Sequence, residues 1–425
     1  MLVRYLYNLL LHLALPLIAL RLLFRALRAA DYAKRVPERF ALCLPKTQPD
    51  GIWLHAVSLG ESIAAAPLVQ TLLERYPHLP ITLTCMTPTG SARIRALFGE
   101  RVQHCYLPYD LPWAARRFIG RLRPRLAILM ETELWPNHIH QCARLNIPVV
   151  LANGRLSERS ARGYARFARL TRPMLSELSW LAVQSQVEAE RFVALGALPE
   201  RVDVTGSIKF DVRPPEGIAE RAQALRGDWQ AQNRPLWIAA STHAGEDEIA
   251  LAAHKTLLQK RPDALLILVP RHPERFASVH ALCQQQGFSV KRRGAGEPVD
   301  ESTQLLLGDT LGELLFLYAL ADLALVGGSL VPRGGHNLLE PAALGKPLLS
   351  GVYLFNFADI AAQLKQAGAL QYVTDAETLA AALATLWDNP KQAQQMREAA
   401  QSVLIANQGA LNRLLDGLHS LLKEP

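Results

Sequence analysis

From Gly51 onward the chain alternates short, largely apolar, β-rich runs with longer helical stretches. The runs at 52–57, 81–84, 126–130, 149–152, 181–183 and 202–205 predict strands. Residues 62–75 and 134–146 predict two of the helices between them. Few of the strand runs alternate apolar with polar residues, so both faces must be buried. That is the mark of a parallel sheet with helices on either side. A second series of the same kind follows at 236–240, 265–269, 304–307, 323–326 and 348–349.

Between the two series, Pro214, Pro215, Gly217, Gly227 and Pro235 surround a polar helical segment, which reads as an interdomain connection. The expected organisation is an apolar anchor helix at 1–30, a first Rossmann-like domain at 31–210 and a linker at 211–235. A second Rossmann-like domain with C-terminal helices would occupy 236–425. In such folds ligands meet the loops that follow the strands, here expected to line a cleft between the domains.

The apolar run at 5–20 is interrupted only by Asn8, His12 and Pro16 and is slightly shorter than the roughly 20 residues that span a bilayer. Arg21, Arg25, Arg28, Lys34 and Arg35 come after it, whereas a secretory signal carries its charge before the apolar stretch. A membrane anchor, spanning or half-inserted, is therefore expected, with the remainder held in the cytoplasm by the basic cluster. The alternative is a buried helix.

Composition narrows the class. The chain has 425 residues, 50% hydrophobic, 20% charged and 7% aromatic, which excludes a disordered tail, a collagen-like repeat and a polytopic membrane protein. The net charge of +8 asks for a negatively charged partner: nucleic acid, an anionic membrane or a phosphorylated substrate. Five scattered cysteines form no C-x-x-C pair, so neither a zinc site nor a redox pair is expected and a reducing compartment is the simplest.

Candidate chemistry follows the strands. Ser58-Leu59-Gly60-Glu61-Ser62 passes from a strand into a helix, and Glu61 suits either a general base or a carboxylate complementing the helix dipole. Glu131 and Glu133 follow another strand. Lys209, in Gly206-Ser207-Ile208-Lys209-Phe210-Asp211, can supply positive charge or simply be a solvated lysine. Arg271, in Val269-Pro270-Arg271-His272-Pro273, fits a bidentate phosphate contact, with a salt bridge to a nearby acid as the alternative. In Val326-Gly327-Gly328-Ser329 and Arg333-Gly334-Gly335-His336-Asn337, glycines between strand and helix allow backbone N–H groups to meet an anion. Asn337 and Glu340, three apart, share one helix face and suit a nucleotide. The spacing is neither a dinucleotide fingerprint nor a Walker loop. Arg155, Arg159, Arg162, Arg166 and Arg169 recur at intervals of four and three, one basic stripe if helical throughout. The stripe suits lipid phosphate or a solvated face.

Taken together, the Ser58–Ser62 turn, Met130-Glu131-Thr132-Glu133-Leu134-Trp135-Pro136-Asn137, Gly206–Asp211, Val269–Arg275 and Arg333–Asn337 resemble the 3-deoxy-D-manno-octulosonic acid (Kdo) transferases of lipopolysaccharide assembly. The resemblance covers nearly the whole chain. It implies a GT-B glycosyltransferase, two facing Rossmann-like domains with an N-terminal anchor, working by inversion at the cytoplasmic face of the inner membrane. The implied donor is CMP-Kdo and the implied acceptor a tetraacylated lipid A precursor. By the same resemblance Glu61 is the catalytic base and Glu131 and Lys209 stabilise the transition state. CMP falls to Pro270 and Arg271, to Gly312, Glu313 and Leu314, and to Asn337, Leu338, Leu339 and Glu340. No cluster has metal-ligand spacing, so metal independence is expected, and nucleic acid becomes the weakest partner. The rivals are a UDP-sugar transferase or sugar-nucleotide epimerase of the same fold, and a non-catalytic binder of anionic lipid.

Overall fold

The computed structural model describes residues 2–229 and 231–422. They fall into two compact units, residues 2–211 with 408–422, and residues 212–407. In the first unit seven strands form one sheet: β1 (Ile52–His55), β2 (Ile81–Cys85), β3 (Gln103–Tyr106), β4 (Leu126–Met130), β5 (Val149–Gly154), β6 (Trp180–Val183) and β7 (Val202–Val204). Their order is β3-β2-β1-β4-β5-β6-β7, and every pair is parallel. The second unit repeats the plan with β8 (Leu236–Thr242), β9 (Leu265–Pro270), β10 (Val290–Arg292), β11 (Leu305–Leu307), β12 (Leu323–Val326), β13 (Leu348–Ser350) and β14 (Leu370–Tyr372). Here the order is β10-β11-β9-β8-β12-β13-β14, again all parallel.

The central strands are apolar on both faces. In the first sheet Trp53, Leu129 and Leu151 point into one core, while Ile52, Leu54, Ile128 and Val150 point into the other. In the second, Trp237, Leu266 and Leu325 face one core and Ile238, Ile267 and Ala324 face its opposite. With no free face, polar chemistry is displaced to the loops beyond the strand ends. In the first sheet the winding runs outward from β1 through β2 to β3, then returns to pair β4 on the other side of β1. In the second, β11 inserts between β9 and the edge strand β10 before β12 pairs on the other side of β8. The switch points lie between β1 and β4 and between β8 and β12.

Three expected boundaries shift. The segment 211–235 is not a free linker, because the helix Ile218–Asp228 belongs to the second unit. Ile218 and Ala222 are buried, Trp229 and Ala231 enter its core, and Arg226 pairs with Asp322 at 2.6 Å. The C-terminal segment does not stay with the second domain. After the helix Pro390–Asn407, the helix Ala410–Leu421 packs into the first unit, where Ala410, Leu414, Leu415 and Leu418 cover Ile52, Leu54 and Val150. Asp211 fastens its start, accepting from the N–H groups of Gly409 at 2.6 Å and Leu411 at 2.7 Å. Gly417 lies so close to the Trp180 ring that a Cβ there would collide with it.

The third shift is at the N-terminus. No single helix among the described residues is long and apolar enough to cross a membrane; instead Leu2–Leu13 and Leu15–Arg28 meet at a 48° bend beside Pro16. The first helix turns its polar residues inward. Arg4 pairs with Glu177 at 3.1 Å, Tyr7 donates to Asp110 at 2.9 Å, and Asn137 donates to Asn8 at 2.8 Å. Leu11 and Leu15 pack against the first core. Other leucines face away, with Leu2 83%, Leu17 68% and Leu27 74% exposed.

Leu414 is fully buried in the first unit although it lies almost at the end of the chain. Leu414→Ala is expected to destabilise that unit by roughly 2–5 kcal/mol. Denaturant unfolding followed by a probe in the first domain checks this, and an unchanged midpoint would show that the helix is not part of its core.

Candidate functional site

In the first unit the site is assembled at the switch point. β1 ends at His55, and three residues later Ser58 caps the helix Leu59–Arg75, its side chain accepting from the Glu61 N–H. Glu61 answers in kind, accepting from the Val57 N–H at 2.8 Å and the Ser58 hydroxyl at 3.0 Å. The cap is reciprocal, like a capping box but with the backbone donor one residue earlier, at Val57 instead of the N-cap Ser58, so both readings of Glu61 meet in one side chain. The cap fixes the carboxylate's direction and leaves it half-buried. Burial pushes its carboxyl above the usual range, with Glu131 adding to the rise and the Val57 hydrogen bond opposing it.

Across the switch, β4 ends at Met130 and Glu131 takes a left-handed conformation, φ +54°, unusual for a side chain of that size. Glu131 forms an ion pair with Lys209 at 3.0 Å. Lys209 lies in a short helical turn, Ile208–Phe210, held to the end of β5 by Asn153, whose side chain accepts from the Ile208 N–H at 3.1 Å. Asn153 is itself buried and left-handed. Burial, then the neighbouring Glu61 charge, push Glu133 up to about 7. The first unit thus gathers three carboxylates, Glu61, Glu131 and Glu133, with one cation paired to the middle one. Such a set holds a proton near neutrality and suits acid–base work.

The second unit gathers its residues in the same way. Pro270 closes β9 and Arg271 follows, exposed and without an ion pair among the described residues. The alternative of a salt bridge to a nearby acid is therefore not what is seen. Gly312, Glu313 and Leu314 follow β11, with Glu313 paired to Arg293 at 3.0 Å, which holds its carboxyl below the usual range. Asn337 caps the short helix Leu339–Ala343 by accepting from the Leu339 N–H at 3.1 Å, and its amide donates to Glu340 at 3.0 Å. Burial raises the Glu340 carboxyl, with Asn337 and then Arg271 opposing. Leu338 and Leu339 are fully buried, so only their backbone groups can meet a ligand.

One expectation changes here. The N–H groups of Gly328, Ser329 and Leu330 do form an anion nest, but the protein fills it itself. Glu246, fully buried after β8, accepts from all three at 2.7, 2.9 and 2.9 Å and from the His243 N–H at 2.9 Å. Neither Glu246 nor Asn153 stood out in the sequence. The Ser241-Thr242-His243 turn before Glu246 offered the only hint, and nothing local marked Asn153.

The arginine row is also interrupted. Arg155 precedes the cap residue Ser157, Arg159, Arg162 and Arg166 lie on the helix Glu158–Arg166, and Arg169 lies on the next helix, Ala168–Ser176. The stripe is therefore not one continuous helix face, because the chain breaks at Phe167. Arg159, Arg162 and Arg166 nonetheless line a shared open concavity with Gly163, and Arg162 also pairs with Glu158 at 3.1 Å. Among the described residues no group of three or more His, Cys, Asp or Glu side chains is arranged to hold a metal.

Residues 34–212 match a family profile described as 3-deoxy-D-manno-octulosonic-acid transferase (kdotransferase), and residues 234–403 one described as glycosyl transferases group 1. The 3-deoxy-D-manno-octulosonic acid transferase of Haemophilus influenzae is 45% identical over 426 residues, covering 99% of each chain. Its namesake from Bordetella pertussis is 40% identical over 433 residues, again 99% of each. Among solved structures, UDP-GlcNAc 2-epimerase from Neisseria meningitidis, bound to UDP-GlcNAc, gives a TM-score of 0.56 at 14% identity. The match covers 87% of this chain and 100% of that one. That likeness is one of fold: two parallel-sheet α/β domains of the GT-B type.

The carboxylate set makes a prediction of its own. Glu131→Gln removes a negative neighbour of Glu61 and leaves Lys209 without its partner, and both changes favour the charged form of Glu61. The Glu61 titration midpoint, followed by carbon NMR of labelled glutamate, is expected to fall. An unchanged midpoint would show that the two carboxylates are not coupled.

Proposed function

The chain belongs to the 3-deoxy-D-manno-octulosonic acid (Kdo) transferases and is a glycosyltransferase; we propose that it moves Kdo from CMP-Kdo to the tetraacylated lipid A precursor lipid IVA, by inversion, with Glu61 as general base. The observation that carries this reading is the half-buried Glu61, held by the Val57 N–H and the Ser58 hydroxyl, with the Glu131–Lys209 pair in the same unit. In the proposed step Glu61 takes the proton of the acceptor hydroxyl, whose oxygen forms the new bond to the anomeric carbon. The bond from that carbon to the phosphate oxygen breaks, and CMP departs with the bonding pair. Glu131 stabilises the positive charge that develops on the sugar, and Lys209 orients Glu131 and balances the negative charge of the group. Arg271, without an ion pair among the described residues, supports the departing phosphate, and Asn337 and Glu340 suit the nucleoside. Since Arg271 supplies the positive charge a leaving phosphate needs, the proposal includes independence of added metal.

Two surfaces suit a lipid acceptor and an inner-membrane position with both domains in the cytoplasm. The first N-terminal helix turns Arg4, Tyr7 and Asn8 inward and exposes Leu2, Leu6, Leu9, Leu10 and Leu13, the reverse of a helix on a water-exposed surface. On the second, exposed Leu17, Leu20, Leu23, Phe24 and Leu27 stand among Arg21, Arg25 and Arg28, a composition suited to an anionic interface. The concavity of Arg159, Arg162 and Arg166 suits the phosphates of the acceptor.

Protein given CMP-Kdo and lipid IVA should release CMP and yield a Kdo-bearing lipid, with or without EDTA; turnover of UDP-sugars alone would favour a rival of the same fold. Glu61→Gln should lower transfer by about 10²- to 10⁴-fold while CMP still binds. Full activity in that variant would sink the base assignment. Because the base must be ionised and its carboxyl is raised, the wild-type rate should fall as pH drops, with its acid limb above the ordinary glutamate range. At the membrane, Leu6→Glu, Leu13→Glu and Leu20→Glu together should abolish binding to vesicles containing anionic lipid. Arg159→Ala with Arg162→Ala and Arg166→Ala should raise the KM for acceptor alone; unchanged values in both sets would return these surfaces to solvent.

A further inference from the structure

We propose that His243 and His336 form a proton-accepting clamp for the phosphate of the nucleotide donor, taking up one proton from solvent when that phosphate binds. The inference rests on the donor reading above and adds two residues to it. His243 follows β8 and His336 lies in the segment that follows β12, the two strands that flank the switch point of the second sheet. Arg271 and His272 follow β9, the neighbour of β8 on its other side. Four basic side chains thus come from three adjacent strand ends, where ligands of open α/β sheets bind.

The two imidazoles meet edge to edge, with centroids 5.2 Å apart, planes 8° from parallel and Nε2 atoms 3.0 Å apart. One Nε2 must carry hydrogen and the other must accept it. The pair can then take a single further proton, on Nδ1 of the donating ring, without losing its internal hydrogen bond. A second would set two N–H groups against each other. The pair is accordingly a switch between charge zero and charge one.

Its geometry is held from behind. The His243 N–H is anchored on the buried Glu246 carboxylate. Gly328 comes so close to His336 that a Cβ would lie 2.9 Å from its ring, and with φ +69° the position demands glycine. The surrounding charges are nearly all of one sign. Burial, then Arg271, His243 and His272, hold His336 down to about 3. His243 is lowered by burial and by His272, Arg333 and Arg275, with Glu246 alone opposing. Glu246 is already committed to four backbone N–H groups. A phosphate arriving among these groups replaces repulsion by attraction, which moves both imidazoles toward their charged forms. A pair that served only to pack the loop would have no reason to sit among cations.

The test is calorimetry of CMP binding to the full chain near pH 7, in buffers of different ionisation enthalpy. CMP is already mostly dianionic there, since the second phosphate pKa is about 6. Binding is expected to take up protons, approaching about one per nucleotide, whereas cytidine, which lacks the phosphate, takes up none. His336→Asn and His243→Asn should abolish the uptake and weaken CMP about tenfold or more, leaving cytidine binding unchanged. The wild-type measurement stands even if a variant fails to fold. Binding of CMP without proton uptake overturns the clamp and spares the donor reading; failure of CMP to bind overturns the donor reading itself.

Discussion

A parallel sheet leaves no face to water, and most of this molecule follows from that. Both sheets carry apolar side chains above and below, and covering them consumes most of the helices. In the first unit the local chain does not suffice. One face is completed by the helix Ala410–Leu421, which returns after the whole of the second unit has been traversed. Asp211, the last residue of the Gly206–Asp211 turn, binds the start of that helix, while Lys209 two residues earlier reaches Glu131. Covering the core and aiming the lysine are therefore tasks of a single turn.

The same constraint sorts the carboxylates. Glu246 is fully buried, and burying an ionised group is tolerable only when its lone pairs are occupied. Four backbone N–H groups occupy them, and the result is a rigid loop rather than a reactive group. Glu61 and Glu133 are less completely served, and their carboxyls are pushed upward. Identical side chains become scaffold, or keep a carboxyl raised toward its protonated form, according to how many donors surround them. Glu131 lies between the two, matched by one lysine and held on a left-handed backbone.

Much of the architecture was legible because buried parallel strands are continuous apolar runs. All four of the innermost strands, β1, β4, β8 and β12, were located within two residues. The three missed strands, β3, β10 and β14, are all at sheet edges. Edge strands are paired on one side only and tolerate Gln103, His104, Lys291, Arg292 and Gln371, so their runs are broken. The displaced C-terminal helix was illegible for another reason. An amphipathic helix announces that it packs, but not against which of two cores. At the site, residues following strands were readable from position alone, as Glu61, Glu131 and Arg271 show. Asn153 and Glu246 were not, because they act on backbone N–H groups brought to them by the fold. The arginine row looked continuous because spacing cannot register the break at Phe167.

The returning helix also sets an order of events during synthesis. The first unit leaves the ribosome first, yet residues that finish its core are translated only after the whole second unit. Until then Ile52, Leu54 and Val150 lack part of their cover, while the second unit, contiguous in sequence, already has all its strands. The early-made domain must wait for the late-made one. A nascent chain that lacks the helix Ala410–Leu421 therefore carries an open apolar face, a natural mark for chaperones and proteases.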